Sequence, residues 1–528
     1  MRALLSSSIG VACTAALLVP LAPSATATVT ARPAQPQAPV AASAAAPAAG
    51  PRTGAAADRG PDGAGRPASH RSVPLPRLDP GAGSDRAGGS AGLAGADAGF
   101  APRTVERFSL AGVSWDDAAE HLHGRVQVRT RDADTGTWSP WQPLETHSHD
   151  APDPGSPERR EGTVRGSTAP LWAGAADGVA VRVLPESGEQ TARLPRGLRL
   201  ELVDPGSGPG DPAGGTAEAP EDRDGGYLPP ETGAETGVET AAHPAGGPAA
   251  RFAATGSAPA DGTRAAAPAP SGLTPQDAAS SAANAQLAEL GATLIPALDR
   301  AEAEADLVAA HDGAAPATRD AGGAQARPFI GPRPGIVTRR GWGADERLRE
   351  GGFLYTNTVK AAFVHHTAGT NNYTCAQVPS ILRGIYQYHV GSLGWRDVGY
   401  NFFVDKCGKI YEGRAGGVAR PVMGAHTYGF NSDTTGIAVL GTFTSAEPAR
   451  AATDAVAKIT AWKLGLYGAN PAASTSLVSG GGKYKKGTRV TMRTIAGHRD
   501  GFNTACPGAR LYGKLPSIRS LAARLQGR

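Results

Sequence analysis

Apolar residues are distributed unevenly along this chain, and their spacing changes period. Between residues 104 and 205 they come in short alternating runs, FSLAGVSW, GRVQVRTRD, TWSPWQPL, GVAVRVLP and LRLELVD, parted by Gly, Asp and Pro. Period-two alternation puts every second side chain on one face of a strand. This stretch therefore predicts a small all-β, sandwich-like domain. From residue 330 to residue 528 two periods take turns. AAFVHHT and TGIAVLGTF read as buried strands, and YNFFVDKCGKIYEGR as two strands joined by a Gly-containing turn. Val378, Leu382, Ile385 and His389 recur at helical spacing, as do Val456, Ile459, Lys463 and Leu466. RVTMRTIAGH predicts a strand that delivers His498 at its end. PSIRSLAARLQG predicts a closing helix with Pro516 near its start and Ile518, Leu521 and Leu525 inward. Strands alternating with helices predict an α/β domain, a mixed β-sheet flanked by helices.

The remaining stretches have too few large apolar residues to offset chain entropy. Residues 28–103 read as a disordered Ala/Pro/Gly linker, and residues 206–329 as a second low-complexity linker. Within the second, an Ala/Leu/Glu-rich stretch from Pro275 to Ala310 is compatible with a short helix, interrupted by Gly291 and Pro296. The 71 glycines and 44 prolines fit a chain with much of its length outside any core.

The first 27 residues change the reading of the cysteines. MRALLSSSIGVACTAALLVPLAPSATA has one basic residue, an apolar stretch to Leu21 and an A-x-A site at Ala25-Thr26-Ala27. That is the pattern of a secretory signal peptide. No later segment is apolar over the roughly 18 residues that a membrane span requires, so an exported, soluble protein is expected. Loss of Cys13 with the signal leaves Cys375, Cys407 and Cys506, an odd number in a compartment that permits disulfides. A net charge of +4, with no Lys/Arg block interleaved with aromatics, gives no case for nucleic-acid binding.

Cys506 follows His498 by eight residues in IAGHRDGFNTACPG. Catalytic zinc takes three protein ligands and keeps a fourth position open. His498 and Cys506 supply two, and His365 or His366 is the candidate third. Adjacent strand residues face opposite ways, so only one of that pair can face a metal. His121, His123, His147 and His149 in the β-domain read as solvated loop histidines, because no Cys or ordered carboxylate pattern accompanies them.

FVHHTAG, GWRDVGYNFFVDKCGKIYEGR, GAHTYGFN, GIAVLGTF and GHRDGFNTACPG, with TRRGWGADE upstream, occur in the order and spacing of one family. The region from residue 336 to about 515 resembles the peptidoglycan recognition proteins and zinc N-acetylmuramoyl-L-alanine amidases. The resemblance implies zinc held by His365, His498 and Cys506, with Tyr400 contacting the water or the oxyanion. It places Thr504 where active members carry Lys or Thr, two residues before the ligand cysteine. Members that only bind the wall have typically lost the cysteine or the first histidine, and this chain keeps both. A secreted, cell-wall-associated amidase acting on peptidoglycan follows as the expectation, and a non-hydrolytic recognition protein is the alternative.

The family also implies that Gly394, Trp395 and Arg414 discriminate stem peptides carrying diaminopimelate, through the extra carboxylate that a guanidinium takes bidentately. Arg414 pairing locally with Glu412 or Asp405 is the competing reading. His426 in GAHT is read as lining the groove or as loop packing, His366 and His389 as packed residues. With Cys506 on zinc, Cys375 and Cys407 remain to form a disulfide. Asp397, Asp500 and Glu412 lie near motifs, but none stands out as a general base. A monomer is expected.

Overall fold

A computed structural model describes residues 66–78, 93–146, 150–161, 164–208, 211, 273–312 and 329–528. The expected signal peptide, His147 and His149 lie outside the described residues. The N-terminal strands are β1 (Ser69–Pro74), β2 (Ala98–Trp115), β3 (Arg125–Asp132), β4 (Gln142–Leu144), β5 (Gly166–Ser167), β6 (Leu171–Leu184) and β7 (Arg199–Asp204), with a short helix α1 (Pro157–Glu161) between β4 and β5. They form the expected all-β domain as one sheet in the order β1-β7-β2-β6-β3-β4, with β5 against the end of β2. All its pairings are antiparallel. Register shifts against β6 fall between Phe100 and Arg103 and between Thr104 and Leu110 in β2. Bulges of this kind bend a strand, and the inward residues Phe108, Trp115, Val126, Val181 and Leu200 share one core.

The domain begins earlier than residue 104. β1 lies inside the stretch expected to be a disordered linker, and it pairs with β7 along its whole length. Val73 is its one residue of appreciable burial and large apolar character, so an edge strand of this kind leaves almost no hydrophobic signal.

The second linker is also partly folded. α2 (Pro275–Ala282) starts with a capping box in which Thr274 and Asp277 satisfy each other's backbone N–H. After it come β8 (Leu294–Ile295) and α3 (Arg300–Asp312), so Gly291 and Pro296 do interrupt the helical stretch. β8 joins the edge of the C-terminal sheet by pairing with β9 (Ile336–Val337). Asn284 anchors the segment more deeply, donating to Glu412 at 2.8 Å and accepting from the Val418 N–H at 2.8 Å.

The C-terminal sheet adds β10 (Ala361–His366), β11 (Phe402–Val404), β12 (Ile410–Glu412), β13 (Thr434–Val439) and, beyond the hairpin β14 (Ser474–Val478) and β15 (Arg489–Arg493), β16 (Ile495–Gly497). Its order is β16-β10-β13-β11-β12-β9-β8. β10 runs parallel to β13 and β16, while β11 and β12 form the expected antiparallel hairpin. The helices are α4 (Val378–Gln387), α5 (Arg450–Gly465), α6 (His498–Gly501) and α7 (Ala509–Leu525).

Strand alternation sorts the core into two layers. Ala362, Val364, Ile437 and Val439 pack with Val456 and Ile459 of α5 and Leu511, Leu515 and Ile518 of α7. Phe403, Tyr411 and Ala438 pack on the other side with Ile381, Leu382 and Ile385 of α4.

Two local expectations change. RVTMRTIAGH is two strands: Thr494 donates its N–H to Ala473 where the chain passes from the small hairpin to the main sheet. α7 begins at Ala509, seven residues before Pro516, because Leu511 and Leu515 already lie on its buried face.

Candidate metal centre

The parallel strands end at one point, and the motif residues gather there. β10 presents His365 and β16 runs directly into His498, the first residue of α6. The following loop brings back Cys506. One ligand atom from each of these three residues lies within 4.8 Å of the others, and all three are buried. His365 Nδ1 is 3.8 Å from Cys506 Sγ, and its Nε2 meets the Thr427 hydroxyl at 3.4 Å. A polar partner on the far ring nitrogen is what orients a metal-binding imidazole. Burial beside His366 lowers the His365 pKa to about 3, keeping the ring neutral as a ligand must be.

His366 points away, as the strand geometry requires. Its ring meets Glu145 at 2.9 Å and accepts from the Phe443 N–H at 3.3 Å, while its backbone N–H donates to Cys506 Sγ at 3.4 Å. It is a packed residue beside the cysteine.

Tyr400 reaches the cluster from the β11 side, its ring centroid 5.3 Å from that of His365. Its hydroxyl donates to Asp150 Oδ2 at 2.6 Å. The other oxygen, Asp150 Oδ1, stands 3.3 Å from His365 Nδ1 and 3.4 Å from His498 Nδ1. That buried oxygen accepts no hydrogen bond from a described residue. Donors at about 2.0–2.2 Å from a shared tetrahedral ion lie roughly 3.3 Å apart. The orphaned oxygen and the two nitrogens therefore have the separation that a shared cation would impose, and the Cys/His chemistry suits zinc.

Burial raises the Asp150 carboxyl to about 6 and holds the Cys506 thiol and the Tyr400 hydroxyl well above their ordinary values. A cation at this point would reverse that balance for the thiol. Thr504 Oγ1 accepts from the Cys506 N–H at 3.2 Å and donates to Glu145 at 3.4 Å.

The residues expected in the groove are buried, Gly394 excepted. Arg414 pairs with neither Glu412 nor Asp405. Its two terminal nitrogens donate to Glu158 of α1, at 2.8 and 3.0 Å, and its Nε donates to the Val398 carbonyl. Both partners are nearly inaccessible, 6 % and 3 % exposed. His426 does not line the groove: it is fully buried beneath His365, its ring 5.3 Å away, with Thr427 and Thr434 hydroxyls at its nitrogens. Packing of the loop against the strand end consumes it. Trp395 is buried and stacks on His389 at 4.4 Å, while Gly394 is exposed on the preceding turn with φ +70°. His389 accepts the Gly399 N–H, a packed residue as expected.

The three carboxylates near the motifs are all committed to structure. Asp397 takes Arg339 and the N–H groups of Val398 and Ala415. Glu412 takes Asn284 and the Arg339 N–H, and Asp500 takes the Gly497 N–H and the Tyr512 hydroxyl. Sequence reading missed the carboxylates that do reach the centre, Asp150 and Glu145. They sit in ETHSHDAPDPGSPERRE, an acidic, proline-bearing loop whose composition is that of a solvated surface. A disulfide joins Cys375 to Cys407 across a Cα separation of 6.4 Å, as expected.

Two histidines and a cysteine gathered at the ends of parallel strands, with a tyrosine hydroxyl aimed at the same point, define a candidate metalloprotein of the layered α/β class. Comparison with known proteins is consistent with both halves of the chain. The N-acetylmuramoyl-L-alanine amidase family model matches residues 355–509, and the Rv3811 N-terminal galactose-binding domain-like model matches residues 64–205. Peptidoglycan-recognition protein SC2 of Drosophila melanogaster is 34% identical over 180 residues, 34% of this chain and 84% of that protein. Human peptidoglycan recognition protein 3 is 31% identical over 179 residues, 34% of this chain and 45% of that protein. A solved structure of Drosophila PGRP-LB aligns with 34% of this chain and 92% of its own, at 24% identity and a TM-score of 0.28. The chain belongs to the peptidoglycan recognition protein and amidase family. Among the described residues no helix is long and apolar enough to cross a membrane.

Proposed function

We propose that the chain is an exported, monomeric, zinc-dependent N-acetylmuramoyl-L-alanine amidase that cleaves the amide between the lactyl group of muramic acid and L-alanine in peptidoglycan. The observation that carries this reading is the convergence of a complete donor set, His365, His498 and Cys506, with the Tyr400 hydroxyl. A member retaining only the binding function would not need the whole set. Zinc held there supplies Lewis-acid activation of water and of the scissile carbonyl at neutral pH.

The chain's own residues do the rest. Tyr400 donates its hydroxyl to an oxygen beside the donor cluster, which is where charge develops on the carbonyl oxygen during attack. Burial keeps that tyrosine protonated and so able to donate. His366 steadies Cys506 through a backbone N–H, and Thr504 caps the cysteine's own N–H. Arg414, buried and forked, is suited to the extra carboxylate of a diaminopimelate stem, and Gly394 and Trp395 shape the turn beside it. The signal-like N-terminus and the disulfide support an oxidising, extracellular setting.

The test is incubation of the zinc-loaded chain and its Asp150→Ala form with muropeptides, followed by mass spectrometry. Free stem peptides bearing an L-alanine amine are expected, and none from His365→Ala. Muropeptide that is bound but left uncut by both wild type and Asp150→Ala would make this a recognition protein.

A further inference from the structure

Acidic side chains of the N-terminal domain enter the groove, and three of them meet residues assigned above to chemistry or recognition. Asp150 sets one oxygen beside His365 and His498 and the other against the Tyr400 hydroxyl. Glu145 meets His366 and Thr504. Glu158 takes both arms of Arg414 and the Arg396 N–H. Between them, Asp153 accepts from the N–H groups of Gly429 and Asn431 and from the Asn431 side chain, which also donates to the Ala151 carbonyl. Two domains that merely touch have no need of carboxylates at these positions.

The covering residues rest on a broad seam. Leu110, Ala151, Val164 and Val203 share one apolar cluster with α4. Tyr388 donates to the carbonyls of Val113 and Thr168, and Gly112 leaves the space that its ring occupies.

We propose that Asp150 and Glu158 are a built-in occupant of the substrate groove. Asp150 is a fourth donor at the metal position, holding the place that water needs. Its second oxygen satisfies Tyr400 as a substrate oxygen would, and Glu158 holds Arg414 as the extra carboxylate of a diaminopimelate stem would. The resting chain is therefore latent, and substrate gains the groove by displacing its own N-terminal domain's side chains. The inference rests on the amidase reading for what is displaced.

Two measurements that do not depend on turnover test it on the full chain. In the first, cobalt replaces zinc and azide is titrated while the visible spectrum is followed. Wild type is expected to be silent to azide, and Asp150→Ala to shift with at least ten-fold tighter apparent binding. In the second, a diaminopimelate muropeptide is titrated calorimetrically against metal-free wild type and metal-free Glu158→Ala, which cannot turn it over, with a gain of at least ten-fold expected for the variant. Faster muropeptide cleavage by Asp150→Ala should accompany both.

If both variants gain binding but nothing is cleaved, the amidase reading fails and the occupancy stands. If wild-type protein takes azide and muropeptide as tightly as the variants, the occupancy is overturned whether or not cleavage occurs. Loss of cleavage in Asp150→Ala without any gain in azide binding would also overturn it, making Asp150 part of the catalytic apparatus. Glu158 holds Arg414 and none of the three donors, so the second titration decides occupancy even if cobalt does not bind.

Discussion

His365 and Asp150 lie 3.3 Å apart but are held there by different means. His365 is the penultimate residue of a strand whose six residues are all buried and which is paired on both sides by parallel neighbours. Asp150 stands in the connection between β4 and α1, tied down by a tyrosine hydroxyl and by the charged contacts that follow at Asp153 and Glu158. Strand ends fix atoms through the whole sheet, whereas a connection holds them only as long as its own contacts last. The donor set is thus intrinsic to the C-terminal fold, and its cover is conditional on the N-terminal domain.

The largest expected effect tests the rigid side. Arg339 is fully buried among Glu346, Asp397 and the Gly413 carbonyl. Arg339→Met leaves the buried Asp397 without its cation, Glu346 keeping Arg349, and should cost about 3–5 kcal/mol in denaturant unfolding. A loss below 1 kcal/mol would mean that the segment carrying it does not brace the site.

Tyr400 stands where the two regions meet. Tyr400→Phe should lower kcat roughly 10²–10³-fold, as removal of an oxyanion donor does, while zinc content stays at the wild-type level. Unchanged kcat would confine Tyr400 to holding Asp150 in place. The smallest effect belongs to the seam. Tyr388→Phe removes the donor to the carbonyls of Val113 and Thr168 and should cost about 1 kcal/mol. It should leave metal content untouched, and metal loss in this variant would contradict the separation of the two regions.

The same contrast explains what could be read in advance. His498, Cys506 and a histidine of the pair His365/His366 were legible because strand ends tie chemistry to sequence spacing, a buried run ending in HHT and a glycine-histidine step before a Cys-Pro-Gly loop, whereas the choice of His365 and the role of Tyr400 came only from the family resemblance. The α4 and α5 helices and the β11–β12 hairpin were legible for the same reason, since burial imposes their periods. β1 was not, because an edge strand held by backbone hydrogen bonds needs few apolar residues. Thr494, where one apparent strand passes between two sheets, carries no mark in the period. The covering carboxylates were least legible of all. Glu145 and Asp150 precede their partners by more than 200 residues, and the composition around them is that of solvated chain. Arg414 shows the consequence: nearby carboxylates at Glu412 and Asp405 suggested a local pair, and its actual partner, Glu158, is 256 residues away.

X-ray absorption at the zinc edge of the zinc-loaded full chain addresses the central claim most directly. One sulfur at about 2.3 Å and three nitrogen or oxygen donors at about 2.0–2.2 Å are predicted, with about one zinc per chain and with the sulfur shell lost in Cys506→Ala. A zinc shell without sulfur in the wild type, or wild-type protein that retains no zinc, would contradict the assignment of His365, His498 and Cys506 as the metal centre.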